Sequence, residues 1–149
     1  NKIVFDALQK NLIKEINNIS DIKPETKFGK KTRFDFLVLN KTEKIFIEVK
    51  NVTLSRKKKI AEFPDAVTSR GLKHINELIN AGKKNYKIFI LYLIQRDDCE
   101  IFQIAEDIDP NYAVALKKAV KNNLKILCYD CKFYSKGIKL HKRVKIEIT

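Results

Sequence analysis

Apolar residues recur along the first nineteen positions at steps of three or four: Phe5, Leu8, Leu12, Ile16 and Ile19. That period predicts an amphipathic helix over 3–19. After Pro24 the rhythm shortens, and 24–28, 33–39 and 44–50 read as three strands. Gly29-Lys30 and Asn40-Lys41-Thr42 separate them, so the segment predicts a β-meander. Residues 51–62 are polar and basic, with Arg56-Lys57-Lys58-Lys59 in a row, and predict a loop. A second helix is expected over 66–81, with Gly82 placed to stop it. The run 86–94 is almost continuously apolar, as in a central strand buried on both faces. A short strand is expected near 99–104. Asp109-Pro110 then opens a third helix along the stripe Tyr112, Leu116 and Val120. Residues 125–148 read as two strands around Ser135-Lys136-Gly137. The order α-β-β-β-α-β-β-α-β-β predicts an α/β domain, a mixed central sheet flanked by helices, without internal repeats.

Composition narrows the class. A chain of 149 residues fits one domain, and 44% hydrophobic content supplies a real core, which excludes disorder. Four Gly and three Pro exclude a linker-like or collagenous chain. No apolar run approaches the ~20 residues of a membrane span, and the first twelve residues lack the apolar stretch of a signal peptide. Three Cys make a poor disulfide framework, so a reducing, cytoplasmic setting is expected. The formal net charge of +13 points to a polyanion, DNA first. Lys greatly outnumbers Arg, however, and an AT-rich coding bias produces the same excess, so charge alone does not decide the partner.

The chemistry lies in Arg33-Phe34-Asp35-Phe36 and Glu48-Val49-Lys50. Alternate residues of a strand share a face, so Asp35 goes with Arg33 and Glu48 with Lys50, while Phe34, Phe36, Ile47 and Val49 point the other way. With Lys41-Thr42 as a two-residue loop, Asn40 pairs with Glu43. Asp35 then falls opposite Glu48, and Arg33 opposite Lys50. Two carboxylates about 5 Å apart at Cβ repel unless a cation lies between them. Mg²⁺ or Mn²⁺ suits such a gap, and Lys50 is placed to steady a water or the charge developing on a phosphate. A solvated surface hairpin would show the same short pattern.

This spacing resembles the PD-(D/E)XK nuclease motif. The wider text is more specific: Thr32-Arg33-Phe34-Asp35-Phe36, Glu48-Val49-Lys50-Asn51-Val52-Thr53-Leu54, Phe63-Pro64-Asp65-Ala66-Val67-Thr68-Ser69-Arg70-Gly71, Lys73-His74, Gln95-Arg96-Asp97-Asp98 and Asp107-Ile108-Asp109-Pro110 with Tyr112. In this order they resemble the sugar fermentation stimulation protein A (SfsA) family over nearly the whole chain. The resemblance implies a restriction-endonuclease-like (PD-(D/E)XK) core over 1–149, the C-terminal part of a longer protein whose N-terminal OB-like domain lies outside this chain. A start at Asn1, with no Met anywhere, agrees with that expectation. It also implies DNA binding, a regulatory role in sugar (maltose) metabolism, and metal-dependent phosphodiester hydrolysis as a possible activity. Asp35 and Glu48 become the metal carboxylates and Lys50 the catalytic lysine. Related nucleases add a Glu from the first helix. Glu15 is the candidate there, and Glu25, which a three-residue turn would set opposite Asp35, is the competitor; Glu25 is weakly favoured.

On a helical wheel Leu72, Ile75, Leu78 and Ile79 form the buried face of the second helix. Arg70, Lys73, His74 and Glu77 lie opposite, as a phosphate-contacting stripe or merely a solvated one. Arg33, Lys57 and Lys58 complete the expected DNA contacts, and His74 is a surface residue in this reading. Cys128 and Cys131 form a C-x-x-C without an obvious second pair of zinc ligands. The leading expectation is a DNA-binding, nuclease-like domain with a Mg²⁺ or Mn²⁺ site, with a homodimer as the expected assembly. The alternative is a non-catalytic DNA-binding regulator with the same fold. An RNA-associated module is the weakest reading, because no aromatic single-strand platform supports it.

Overall fold

The computed structural model describes residues 1–148. A six-stranded sheet runs through the domain in the order β1-β2-β3-β6-β8-β9, formed by β1 (Ile19–Phe28), β2 (Thr32–Asn40), β3 (Lys44–Val52), β6 (Lys87–Ile94), β8 (Lys125–Tyr134) and β9 (Gly137–Arg143). The meander β1-β2-β3 and the pair β8-β9 are antiparallel, while β3-β6-β8 is parallel. A smaller sheet has the order β10-β7-β5-β4, from β4 (Leu54–Lys57), β5 (Ile60–Phe63), β7 (Ile101–Ile104) and β10 (Lys145–Ile146). The helices are α1 (Lys2–Gln9), α2 (Ser69–Gly82) and α3 (Pro110–Lys121). The expected mixed α/β architecture is therefore present.

Two cores lie on the two faces of the large sheet. One face carries Phe46, Ile88, Ile90, Tyr92 and Ile94 against Ile75 and Leu78 of α2 and Tyr112 and Leu116 of α3. The other carries Ile45, Ile47, Val49, Leu91 and Leu93 against Val4, Ala7 and Leu8 of α1. Every side chain of β6 after Lys87 is buried, because helices or strands cover both faces.

Several boundaries differ from the sequence expectation. The first helix ends at Gln9, not at 19. Asn11 takes a positive φ of 55°, which ends the helix, yet Ile13 and Ile16 still reach the core from the loop that follows. The predicted stripe is thus broken: Leu12 is exposed, and Ile13 takes the core position in its place. The basic stretch 51–62 is a hairpin, β4-β5, because β5 adds in parallel to β7. The second helix starts at Ser69, where the Thr68 hydroxyl accepts from the Gly71 N–H as N-cap. The C-terminal region holds three strands.

The candidate metal and phosphate site

The β2-β3 hairpin has the register read from its loop: the Asn40 N–H donates to Glu43, and the ladder runs from Leu39↔Lys44 to Phe36↔Ile47. It stops there, and the cause is Asp35. Its Oδ2 accepts the Val49 N–H at 2.7 Å, and its own N–H donates to Glu48 Oε1 at 3.3 Å. Side chains have replaced the next backbone rungs. Phe34 and Phe36, two residues apart, pack into opposite cores, so β2 turns over at Asp35. On the neighbouring β1, Glu25 sits between the pairs Pro24↔Phe36 and Thr26↔Phe34 with φ 49°. This irregularity corrects two expectations. Phe34 and Phe36 do not share a face, and Arg33 does not oppose Lys50. The β2-β3 ladder ends before Arg33, whose partner on the other side, in β1, is Lys27.

Glu48 is 3% exposed, facing α2. Its Oε2 receives His74 Nδ1 in a short contact and lies 3.3 Å from Lys50 Nζ. Burial pushes the Glu48 carboxyl up, but the His74 hydrogen bond and the Lys50 charge outweigh it, and its pKa ends below the ordinary value. Asp35 goes the other way. Burial, then the negative charge of Glu48, lift it to about 6, against the Val49 N–H and the Asn1 side-chain amide that donates to Oδ1 at 2.7 Å. The pair is thus an ionised carboxylate beside one that resists ionisation, the electrostatics of two anions short of a cation.

The remaining site residues divide. Glu25 lines the same cavity of about 330 Å³ as Asp35, with Asn1, Phe5 and Pro24. Glu15 is held elsewhere: Tyr129 of β8 donates to it, and Arg143 of β9 lies 3.6 Å away. In the strand order β8 is three places from β2, roughly 14 Å at the usual strand spacing. Arg33, Arg70, Lys73 and His74 line one groove of about 790 Å³ with Lys27, Lys30, Lys31 and Ser69. Lys57 opens on a different cavity, beside Arg56, whose guanidinium is engaged by Glu62 and Asp107. Lys58 lies exposed in the β4-β5 turn.

His74 is the largest departure. It was expected on the solvated face of α2 but is 8% exposed, on the stripe Gly71, His74, Ile75 and Leu78. The steps of three and four from Gly71 to His74 to Leu78 were visible in the sequence. The polarity of His hid them. Lys27, Lys30 and Lys31 were also not singled out, since nothing in their spacing shows that the β1-β2 turn would face α2.

Chemically, the donor set is hard and oxygen-rich. Among the described residues no three His, Cys, Asp or Glu side chains gather as a self-sufficient metal cage. Two carboxylates that leave most positions to water and phosphate oxygens suit Mg²⁺ or Mn²⁺. The three cysteines are free and buried, and no helix among the described residues is long and apolar enough to cross a membrane.

Comparison with known proteins gives the family and the fold. Residues 1–137 match the family model described as the sugar fermentation stimulation protein RE domain. A sugar fermentation stimulation protein homolog of Pelagibacter ubique is 52% identical over 146 residues, covering 98% of this chain and 63% of the relative. A homolog from Bartonella quintana is 38% identical over 148 residues, covering 99% and 63%. The chain thus spans slightly under two thirds of these relatives. Among solved structures, Pyrococcus furiosus SfsA in complex with Ca²⁺ superposes with a TM-score of 0.87 at 27% identity, over 95% of this chain and 61% of that one.

Proposed function

This chain belongs to the sugar fermentation stimulation protein family, and we propose that it is a DNA-binding domain with divalent-metal-dependent phosphodiesterase activity. The observation that carries the reading is the convergence on Glu48 of Asp35, whose N–H donates to Oε1, with Lys50 and the groove-lining His74 at Oε2. Asp35 and Glu48 would hold the ion, with Glu25 the nearer third carboxylate. The bound ion would polarise the phosphodiester and acidify an attacking water. Lys50 puts a fixed positive charge 3.3 Å from Glu48 Oε2, where it faces charge developing on a phosphate. Arg33, Arg70 and Lys73, joined by Lys27, Lys30 and Lys31, hold the backbone of the polyanion. The Ca²⁺ of the Pyrococcus furiosus relative supports this reading, since Ca²⁺ seeks the same oxygen ligands.

The test incubates the protein with plasmid and single-stranded DNA, with Mn²⁺ or with EDTA. Cleavage that needs Mn²⁺ and vanishes in Asp35→Ala and Lys50→Ala supports the enzyme. DNA binding without cleavage under any divalent metal overturns it and leaves a DNA-binding regulator on the same groove.

A further inference from the structure

We propose that His74 is a positioning residue, coupling the phosphate groove to the metal carboxylates by fixing the orientation of Glu48. The inference rests on the metal-site reading above. The imidazole does not project into solvent. Its Nδ1 makes a short contact with Glu48 Oε2 and lies 3.1 Å from Lys50 Nζ. An imidazole nitrogen has one in-plane position, occupied either by a proton or by a lone pair. Nδ1 therefore cannot donate to Glu48 and accept from Lys50 at once. The closer partner is Glu48, so Nδ1–H donates to Oε2, and Lys50 is held through the same oxygen. Glu48 Oε1 is taken by the Asp35 N–H. One oxygen is thus anchored by strand β2 and the other by helix α2, which fixes the carboxylate plane.

The same helix presents Ser69, Arg70 and Lys73 to the basic groove within five residues of His74, and the ring itself forms part of the groove wall. A phosphate that settles on Arg70 and Lys73 therefore bears on the element that aims Glu48. Groups that orient a metal ligand from behind typically contribute 10–100-fold to metal affinity or activity.

The experiment measures Mn²⁺ binding to the whole chain by calorimetry, without DNA, in wild type, His74→Ala, His74→Asn and His74→Gln. Asn places its side-chain N–H close to where Nδ1–H lies; Gln carries it one bond further out. The expected result is an affinity loss of about 10–100-fold in His74→Ala. Recovery to within about threefold is expected in His74→Asn, and none in His74→Gln. On DNA, His74→Ala lowers kcat with KM nearly unchanged, whereas Arg70→Ala raises KM. Wild-type Mn²⁺ affinity in His74→Ala overturns the inference, as does a His74→Asn protein that is folded by circular dichroism yet binds as weakly as His74→Ala. Asp35→Asn separates the two levels. If it abolishes Mn²⁺ binding while His74→Ala keeps it, only the role of His74 falls. If Asp35→Asn itself binds as wild type, the metal-site reading falls.

Discussion

Replacing Asp35 with Asn should stabilise the metal-free protein while removing metal binding. The structure sets the size and sign. Burial and the Glu48 charge lift the Asp35 carboxyl from 3.8 to about 6. An acid whose folded pKa exceeds its unfolded one destabilises the fold as it ionises. The penalty is absent below pH 3.8, grows through the interval up to about 6, and is constant above it. At about 1.4 kcal/mol per tenfold change in ionisation, the full penalty would be about 3 kcal/mol. Asp35 is only half-buried, and solvent screening reduces this to about 1–2 kcal/mol. Asn keeps an oxygen for the Val49 N–H, so the substitution removes charge and leaves that hydrogen bond. Thermal melts in EDTA should show a gain of roughly 3–6 °C at pH 7.5 and much less at pH 4. Added Mn²⁺ at a hundredfold excess over its Kd should raise wild-type stability by about 2.7 kcal/mol and leave the variant unmoved. A variant less stable than wild type at both pH values, or equally stabilised by Mn²⁺, would refute the argument that burial and the neighbouring Glu48 charge make ionised Asp35 costly in the metal-free protein.

Other consequences are simpler to measure. Tyr92 and Tyr112 share a hydrogen bond between hydroxyls in the core; Tyr112→Phe should cost about 1–3 kcal/mol in urea denaturation by stranding the Tyr92 hydroxyl, and the double Phe variant should recover part of the loss. In Gly71→Ala a Cβ would come within 2.9 Å of Thr68 Oγ1 and 3.2 Å of Tyr112 Cε2. Crowding the α2 cap and the tyrosine together should cost about 1–3 kcal/mol, read as a lower melting temperature. In DNA titrations across salt concentration, Arg33→Ala and Lys73→Ala should each flatten the log-affinity slope by about one. Lys57→Ala, which opens on the other cavity, should leave that slope unchanged.

Much of this protein is local, and what is local was readable. The two-residue loop at Lys41-Thr42 sets the β2-β3 register as far as Phe36↔Ile47, because in a hairpin the turn fixes which of the adjoining residues face each other. That register brings Asp35 toward Glu48. The unbroken apolar run of β6 declares a strand covered on both faces. What the tertiary structure decided concerns residues far apart in the chain. Glu25 rather than Glu15 shares a cavity with Asp35, since a helix that ends at Gln9 leaves Glu15 to Tyr129 and Arg143. Lys27, Lys30 and Lys31 meet Arg70 and Lys73 across the β1-β2 turn. His74 turns inward to Glu48 because a buried carboxylate needs a donor, and that demand outweighs the preference of a polar side chain for water. Pattern along a chain records which face a residue prefers when its partner is generic hydrocarbon. It does not record a partner that is one particular oxygen on a strand 26 residues earlier in the chain.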